Sequence, residues 1–545
     1  MILYYMSGGS SSESLNALIK EYRKMSQSDS TSSPELEVRF GTKGIKPVTR
    51  IDFDNVVKRL KASGFKPTSP EPKSILRIQS EFIDPNTSVS RISNVRADVV
   101  GLKNIQQYCK RNTLGLDSSG KPNVEFTRKQ RRFDDGDESE ALVNPVEFDD
   151  FNFRAVLSTE EIMTTETSPI VRDAVENWGS RKKIFRYITR TSFRHPSLPL
   201  EVDLSVIKES NRRGRNLIAE YTVSQSGVFD NREKYEIEIE VDTNLYNPYS
   251  KTASTNPASL AADIKKTVMI VLSGLQGTKF PIAYSEQNKV RSDYVGLFDK
   301  KASQESRINP RLFIGPQPTT LQIANIAPIN PDSLIPNIRN KYTVTEKADG
   351  ERKFLFVGAK GKIYMIDSNL NVQFTGARTQ TQELIGSLVD GEYIPRDKKR
   401  EFINRYAAFD VYFVGGKDVR SLPFIPSQTE EKTEARLPLL IKLLTDLAPI
   451  GLGEKALTPI RITAKKFYAE TESQTIFDGC AKILRQEEEG LFEYETDGLI
   501  FTPARLGVGL SNKDTEIKNF KHGWSEAFKW KPTKLNTIDF LVSTK

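Results

Sequence analysis

Glu35-Leu36-Glu37-Val38-Arg39-Phe40 and Glu236-Ile237-Glu238-Ile239-Glu240-Val241 each place carboxylates on alternate residues. On a strand, alternate side chains share a face, so each comb turns its glutamates one way and its apolar residues the other. Like charges lined up on strands repel unless something positive sits between them. The simplest neutraliser for an all-oxygen donor set is a hard divalent cation, Mg²⁺ or Mn²⁺ rather than Zn²⁺.

Between the combs the period-two signal recurs at Ile75 to Phe82, Val89 to Arg96, Val124 to Arg132, Phe151 to Leu157, Ile184 to Phe193 and Leu200 to Ile207. With Glu35 to Phe40 and Tyr235 to Val241 these make enough antiparallel strands to close a barrel. The intervening strands are basic, with Arg91 and Arg96 in one, Arg128, Lys129, Arg131 and Arg132 in the next, then Arg186, Arg190 and Arg194. A lumen with carboxylates on one wall and cations on another suits a polyphosphate. With no histidine nearby, a glutamate would orient the attacking water. Helical spacing covers Ser12 to Met25, Phe53 to Leu60, Asn256 to Gly274 and Arg436 to Leu447. The acidic run Asp134 to Glu140 reads as a solvated loop tip.

The chain has 545 residues, 37% hydrophobic and 28% charged, with a net charge of +8. That length favours more than one domain, and the basic excess favours an anionic partner. Only Cys109, Cys480, His195 and His522 are present as cysteines and histidines. Disulfide frameworks, cysteine-rich zinc sites and histidine triads are therefore excluded, and chemistry falls to carboxylates, lysines and arginines. No apolar run approaches the roughly 18 residues that a spanning helix needs, so no membrane partner is expected. A cytosolic, reducing compartment fits the cysteine usage.

The second half holds a different series: Lys347-Ala348-Asp349-Gly350-Glu351-Arg352, Leu388-Val389-Asp390-Gly391-Glu392, Ala407-Ala408-Phe409-Asp410-Val411, Thr496-Asp497-Gly498-Leu499-Ile500-Phe501 and Phe528-Lys529-Trp530-Lys531-Pro532. Each sets charged groups beside an apolar strand. An unpaired charge there is costly, so one shared site is the economical explanation. A lysine crowded by Lys529 and Lys531 would lose its proton more easily and become a nucleophile. The same two lysines would hold a phosphate.

The combs and basic strands of residues 30 to 245 resemble the triphosphate tunnel metalloenzymes, specifically the RNA 5′-triphosphatases of fungi and large DNA viruses. The resemblance implies metal-binding glutamates Glu35, Glu37, Glu238 and Glu240, with Glu236 able to replace one of them, and Glu37 and Glu240 as catalytic. It implies phosphate-binding Arg96, Lys129 (or Arg128) and Arg186, and supporting Glu160 and Asp203. The second series resembles the covalent nucleotidyltransferases, messenger RNA guanylyltransferases and ATP-dependent ligases. It implies Lys347 as the nucleophile forming a phosphoramidate with GMP, Arg352 on the ribose, Glu392 and Phe409 around the nucleoside, Lys529 and Lys531 on the α-phosphate, and Asp497 as a metal-organising carboxylate. Gly350 would let the backbone come close to the nucleotide.

Together the two halves resemble the mRNA capping enzymes of large DNA viruses. The implied fold is α+β: an eight-strand antiparallel β tunnel followed by a nucleotidyltransferase domain. The expected organisation is a flexible leader and first helix (1–29), the tunnel (30–280), a connecting segment (281–336), the guanylyltransferase domain (337–536) and the start of an OB-fold lid (537–545). Since the family continues into that lid, the chain is expected to be a fragment that hydrolyses 5′-triphosphates while transferring GMP poorly or not at all. The implied partners are an RNA 5′ end, GTP as substrate and a methyltransferase domain or subunit, in the cytoplasm or a virion-associated viral factory. An RNA or DNA ligase and a non-catalytic RNA-binding scaffold are the competing readings.

Overall fold

The computed structural model describes residues 10–27, 32–41, 47–83, 89–115, 124–130, 132–133, 141–142, 144–243, 245–246, 257–305, 308–427, 434–452, 457–511, 523–535, 540 and 542. The acidic run 134–140, Arg131, His522 and most of 537–545 lie outside them. The chain divides into two units, Met1–Gly277 and Thr278–Lys545.

In the first unit, strands β1 (Ser33–Phe40), β2 (Lys73–Ile83), β3 (Val95–Val100), β4 (Glu125–Gln130), β5 (Phe153–Met163), β6 (Lys183–Arg194), β7 (Leu200–Glu209) and β8 (Lys234–Val241) form a closed ring. Around it the order is β1-β5-β4-β3-β2-β6-β7-β8 and back to β1, with every pairing antiparallel. Closure leaves no open sheet edge, and the barrel carries Glu35, Glu37, Glu236, Glu238 and Glu240 to its lumen. The alternate residues Leu36, Val38, Phe40, Ile237 and Ile239 are buried on the opposite face. Helices α1 (Ser10–Ser26), α2 (Arg50–Ala62) and α5 (Pro257–Leu275) pack on that side, while α3 (Leu102–Arg111) follows β3 and α4 (Pro169–Glu176) follows β5 along the chain. Helix α2 opens on a capping box, in which the Asp52 amide donates to Thr49 Oγ1 and the Thr49 amide to Asp52 Oδ2, both at 3.2 Å. It lies so close to α5 that a Cβ at Gly274 would stand 2.7 Å from Val56 Cα.

Two strand boundaries differ from the sequence reading. Val89 to Arg96 divides into an exposed strand, Ser90–Ile92, and the stave β3, because the Val95 amide turns back to Ser93 Oγ. Phe151 to Leu157 starts later and runs on to Met163, after a turn in which Asn152 adopts φ 54°. The longer strand brings Glu160 opposite Lys129.

The second unit has two sheets. One orders β9 (Gln317–Thr320), β17 (Gly523–Trp530), β16 (Thr496–Pro503) and β10 (Tyr342–Ala348), with Tyr468–Ala469 at its edge. The other is built on β15 (Phe402–Val414), β14 (Leu388–Arg396), β11 (Glu351–Val357), β12 (Lys362–Asp367) and β13 (Val372–Arg378). Helix α7 (Arg436–Leu447) covers β15 through Leu440, Leu443 and Leu447. Residues 281–336, expected to connect two domains, are instead part of this unit. Helix α6 (Tyr284–Gly296) buries Val290, Tyr294 and Val295 against Phe354 and Phe356, and β9 pairs in parallel with β17. The frequent prolines hid apolar positions whose partners lie far along the chain. Among the described residues no helix is long and apolar enough to cross a membrane.

The first residue of α7, Arg436, is fully buried and grips Asp410 through Nε at 2.8 Å and Nη2 at 3.2 Å. Its Nη1 donates to the Leu506 carbonyl at 3.0 Å. Arg436→Ala is expected to cost about 3–5 kcal/mol, because it strands a buried carboxylate. Adding Asp410→Asn should restore part of that loss in a urea-unfolding comparison.

Candidate functional sites

The barrel encloses a cavity of about 800 Å³. On its acidic side Glu37 faces Glu240, and Arg39 faces Glu238, across the β1–β8 ladder. Asp203 is the β7 neighbour of Glu238 and is buried. Cations divide these carboxylates among themselves. Lys129 Nζ lies 2.6 Å from Glu35 and also contacts Glu37. Arg39 bridges Glu37 at 2.8 Å and Glu238 at 3.1 Å. Arg190 bridges Asp203 at 2.6 Å and Glu238 at 3.3 Å. Arg96 reaches Glu160 at 3.1 Å, and Arg186 reaches Glu236 at 2.5 Å. Strand alternation settles the choice between neighbours on β4: Lys129 lines the lumen, while Arg128 pairs with Glu161 at 2.6 Å on the other face.

Among the described residues Glu240 has no ion-pair partner. Burial, then Asp203, Glu37 and Glu238, push its carboxyl well above the usual range. Burial and a hydrogen bond shared with Glu160 raise Glu35 to about 7. Against its own burial, Glu160 is held down by that hydrogen bond and by Arg96. The donor set therefore fits a hard divalent ion: all-oxygen and multiply acidic, with Glu240 left without a paired cation among the described residues. The cage is not preformed, however, since among the described residues no three carboxylates converge on one point. Lys129 and Arg39 hold them apart.

A second cavity, about 370 Å³, lies within the second unit between its two sheets. Lys347, near the end of β10, lines it together with Arg352, Glu392, Phe409 and Lys529. Lys347 Nζ lies 2.7 Å from Asp497 Oδ1, and Lys531 Nζ lies 2.6 Å from Asp497 Oδ2. The expected crowding of Lys347 by Lys531 is thus not what the fold builds, because a carboxylate sits between them, while Lys529 lines the same cavity as Lys347. Against burial, the two lysines hold the Asp497 carboxyl below the usual range. Gly498 makes this possible at φ 140°, where a Cβ would stand 1.9 Å from the Trp530 carbonyl oxygen.

Arg352 is fixed by Asp390 at 3.0 and 2.5 Å and by the Pro316 carbonyl at 2.9 Å, and lies 5.6 Å from the Phe409 ring centre. Burial raises Glu392 to about 7 against the pull of Lys465, Arg352 and Lys347. Gly350 serves packing as well as access, since a Cβ there would meet Glu392 Cγ and the Tyr393 carbonyl at 2.8 Å.

Sequence reasoning named sixteen residues, and the two cavities take all of them except Asp203, which pairs with Arg190, and Asp497 and Lys531, which pair with one another while Asp497 also holds Lys347. It missed Arg39, Arg77, Asp98 and Lys465. Arg39 sits inside the quoted comb, and its odd number alone assigns it to the glutamate face. Lys465 follows Arg461–Ala464, whose pairing with β15 had no local signal.

Residues 286–532 match the family model described as mRNA capping enzyme, catalytic domain. The chain is 26% identical over 428 residues to the "Probable mRNA-capping enzyme" of Acanthamoeba polyphaga mimivirus, covering 72% of this chain and 32% of that one. It is 25% identical over 253 residues to the mRNA-capping enzyme of Danio rerio, covering 45% and 37%. The chain thus spans about a third of the length of these curated relatives. A solved structure, the mimivirus capping enzyme triphosphatase, aligns with 47% of this chain and 95% of its own at 17% identity and a TM-score of 0.30. The chain is similar to mRNA-capping enzymes in sequence, and the match to the family's catalytic-domain model falls within its second unit.

Proposed function

We propose that the chain performs two consecutive steps of RNA cap synthesis, in the cytoplasm of a virus-infected cell. The first unit hydrolyses the γ-phosphate of a 5′-triphosphate RNA, and the second, against the expectation of poor transfer, transfers GMP from GTP to the resulting diphosphate end. The observation that carries the reading is Glu37 facing Glu240 inside a closed barrel whose other walls are cationic.

In the tunnel, Glu35, Glu37, Glu238 and Glu240 would hold Mg²⁺ or Mn²⁺, which when bound polarises a phosphoryl oxygen and acidifies water. Arg96, Lys129 and Arg186 bind the phosphate chain and offset its charge. Glu160 orients Arg96, and Asp203 orients the neighbouring Arg190, through the contacts described above. A carboxylate of the comb accepts the proton of the attacking water as the bond to the γ-phosphorus forms and the β-γ bridge breaks.

In the second unit, Lys347 Nζ, once deprotonated, attacks the α-phosphorus of GTP. A P–N bond forms and pyrophosphate leaves. A terminal oxygen of the diphosphate RNA then attacks the same phosphorus, breaking the P–N bond and returning the lysine. Lys529 and Lys531 neutralise the charge that develops on the phosphoryl oxygens. Arg352, Phe409 and Glu392 hold the nucleoside. Asp497 holds Lys347 and Lys531 in place and would organise a metal when it releases them. The capped product is a substrate for a methyl transfer, which a methyltransferase domain or subunit would supply.

The test is to incubate the chain with 5′-triphosphate RNA, with and without Mg²⁺ or Mn²⁺, and separately with α-labelled GTP or ATP. Metal-dependent phosphate release and a label specific to GTP are expected. A label from ATP alone would replace the reading with a ligase, and metal-independent silence in both assays would leave a scaffold.

A further inference from the structure

One rung of the tunnel wall runs across four neighbouring strands as Asp98, Arg77, Arg186 and Glu209, each directly opposite the next. The sign order is acid, cation, cation, acid. The two arginines face one another, where like charges repel, and each leans away toward a carboxylate. Arg77 makes a forked contact with Asp98, Nε at 2.9 Å and Nη2 at 2.7 Å. Arg186 bonds Glu236 at 2.5 Å and stays 3.9 Å from Glu209.

Both guanidiniums keep donors in reserve. Arg186 Nε is buried with no hydrogen-bond partner. The N–H groups of Arg77 that Asp98 does not take have no partner among the described residues, and its side chain lines the cavity. The next rung along the same strands is apolar, with Ile75 opposite Ile188 and Ile188 opposite Ile207, all buried. A dry neighbour strengthens whatever charge pairing occurs beside it.

We infer that Arg77 and Arg186 form a two-guanidinium clamp on one phosphoryl group, with Asp98 the positioning residue that sets Arg77. The clamp rests on the reading of the tunnel as a triphosphate site and adds to it a cation on β2 and its anchor on β3. An anion between the two arginines removes their repulsion, and the forked geometry of each matches phosphate oxygens.

The experiment is calorimetric titration of inorganic tripolyphosphate into the full chain without divalent ions, with thermal melts to check folding. Arg77→Ala and Arg186→Ala are each expected to weaken binding about tenfold, and Arg77→Lys, which keeps the charge and loses the fork, about threefold to tenfold. Asp98→Asn should weaken it about threefold, and Arg77→Ala with Asp98→Asn no more than Arg77→Ala alone. Wild-type affinity in Arg77→Ala, or in Arg77→Lys should the alanine variant not fold, overturns the clamp. Additive losses in the double variant overturn the role given to Asp98. A wild-type chain that binds no tripolyphosphate at all removes the underlying triphosphate reading, and the clamp with it.

Discussion

Lys347→Ala is expected to abolish covalent labelling of the chain by α-labelled GTP, to below detection on a denaturing gel. Lys347→Arg should do the same, since a guanidinium stays protonated at any working pH and offers no lone pair. Among the cations lining the second cavity, Arg352 is committed to Asp390, and Lys465 to Glu346 at 3.3 Å and its carbonyl at 2.7 Å. Among the described residues Lys347 is held through the carboxylate of Asp497, which it shares with Lys531. A shared carboxylate can turn to one lysine and release the other. Lys347 lies one residue before the end of the strand that leads into the Asp349-Gly350 turn, and it lines the same cavity as Lys529. A label that persists in Lys347→Ala would move the nucleophile elsewhere, with Lys529 and Lys531 the next candidates to replace. Coincident melting curves for the wild type and Lys347→Arg would exclude unfolding as the cause of the loss.

The legible parts of this fold were those where period and charge speak together. The combs declared their faces because residues two apart must share one, and the ladder then brought Glu37 against Glu240 with no further information. The motif carbonyls and carboxylates around Lys347 were legible for a similar reason, since charge beside an apolar strand is costly and has to be used. What escaped depended on which strands became neighbours. Nothing in the local sequence distinguishes Arg77; its place follows from β2 lying between β3 and β6, which supply its acid on one side and its competing cation on the other. Asp497 was expected as a metal-organising carboxylate, and it is Gly498 with its close approach to Trp530 that puts it between Lys347 and Lys531. The stretch 281–336 failed as a connector because Val290, Tyr294 and Ile314 bury against residues from Phe354 onward. No window of local sequence contains that contact.

Glu37→Ala and Glu240→Ala are each expected to lower metal-dependent phosphate release from triphosphate RNA by on the order of a hundredfold or more. The two losses should differ in kind. Glu37 is ion-paired with Lys129 and Arg39, so removing it frees two cations to collapse onto Glu35 and Glu238, and binding of both metal and phosphate is expected to suffer. Glu240 has no such partner, and its removal deletes acidity without releasing a cation. Glu240→Ala should therefore weaken Mn²⁺ binding while leaving tripolyphosphate affinity in the absence of metal near its wild-type value. Glu240→Gln, which keeps the shape and loses only the charge, should match the alanine variant. Full activity in Glu240→Gln would mean that the carboxylate facing Glu37 contributes no charge to the reaction, and the glutamate face of the barrel would then need another explanation than a divalent ion.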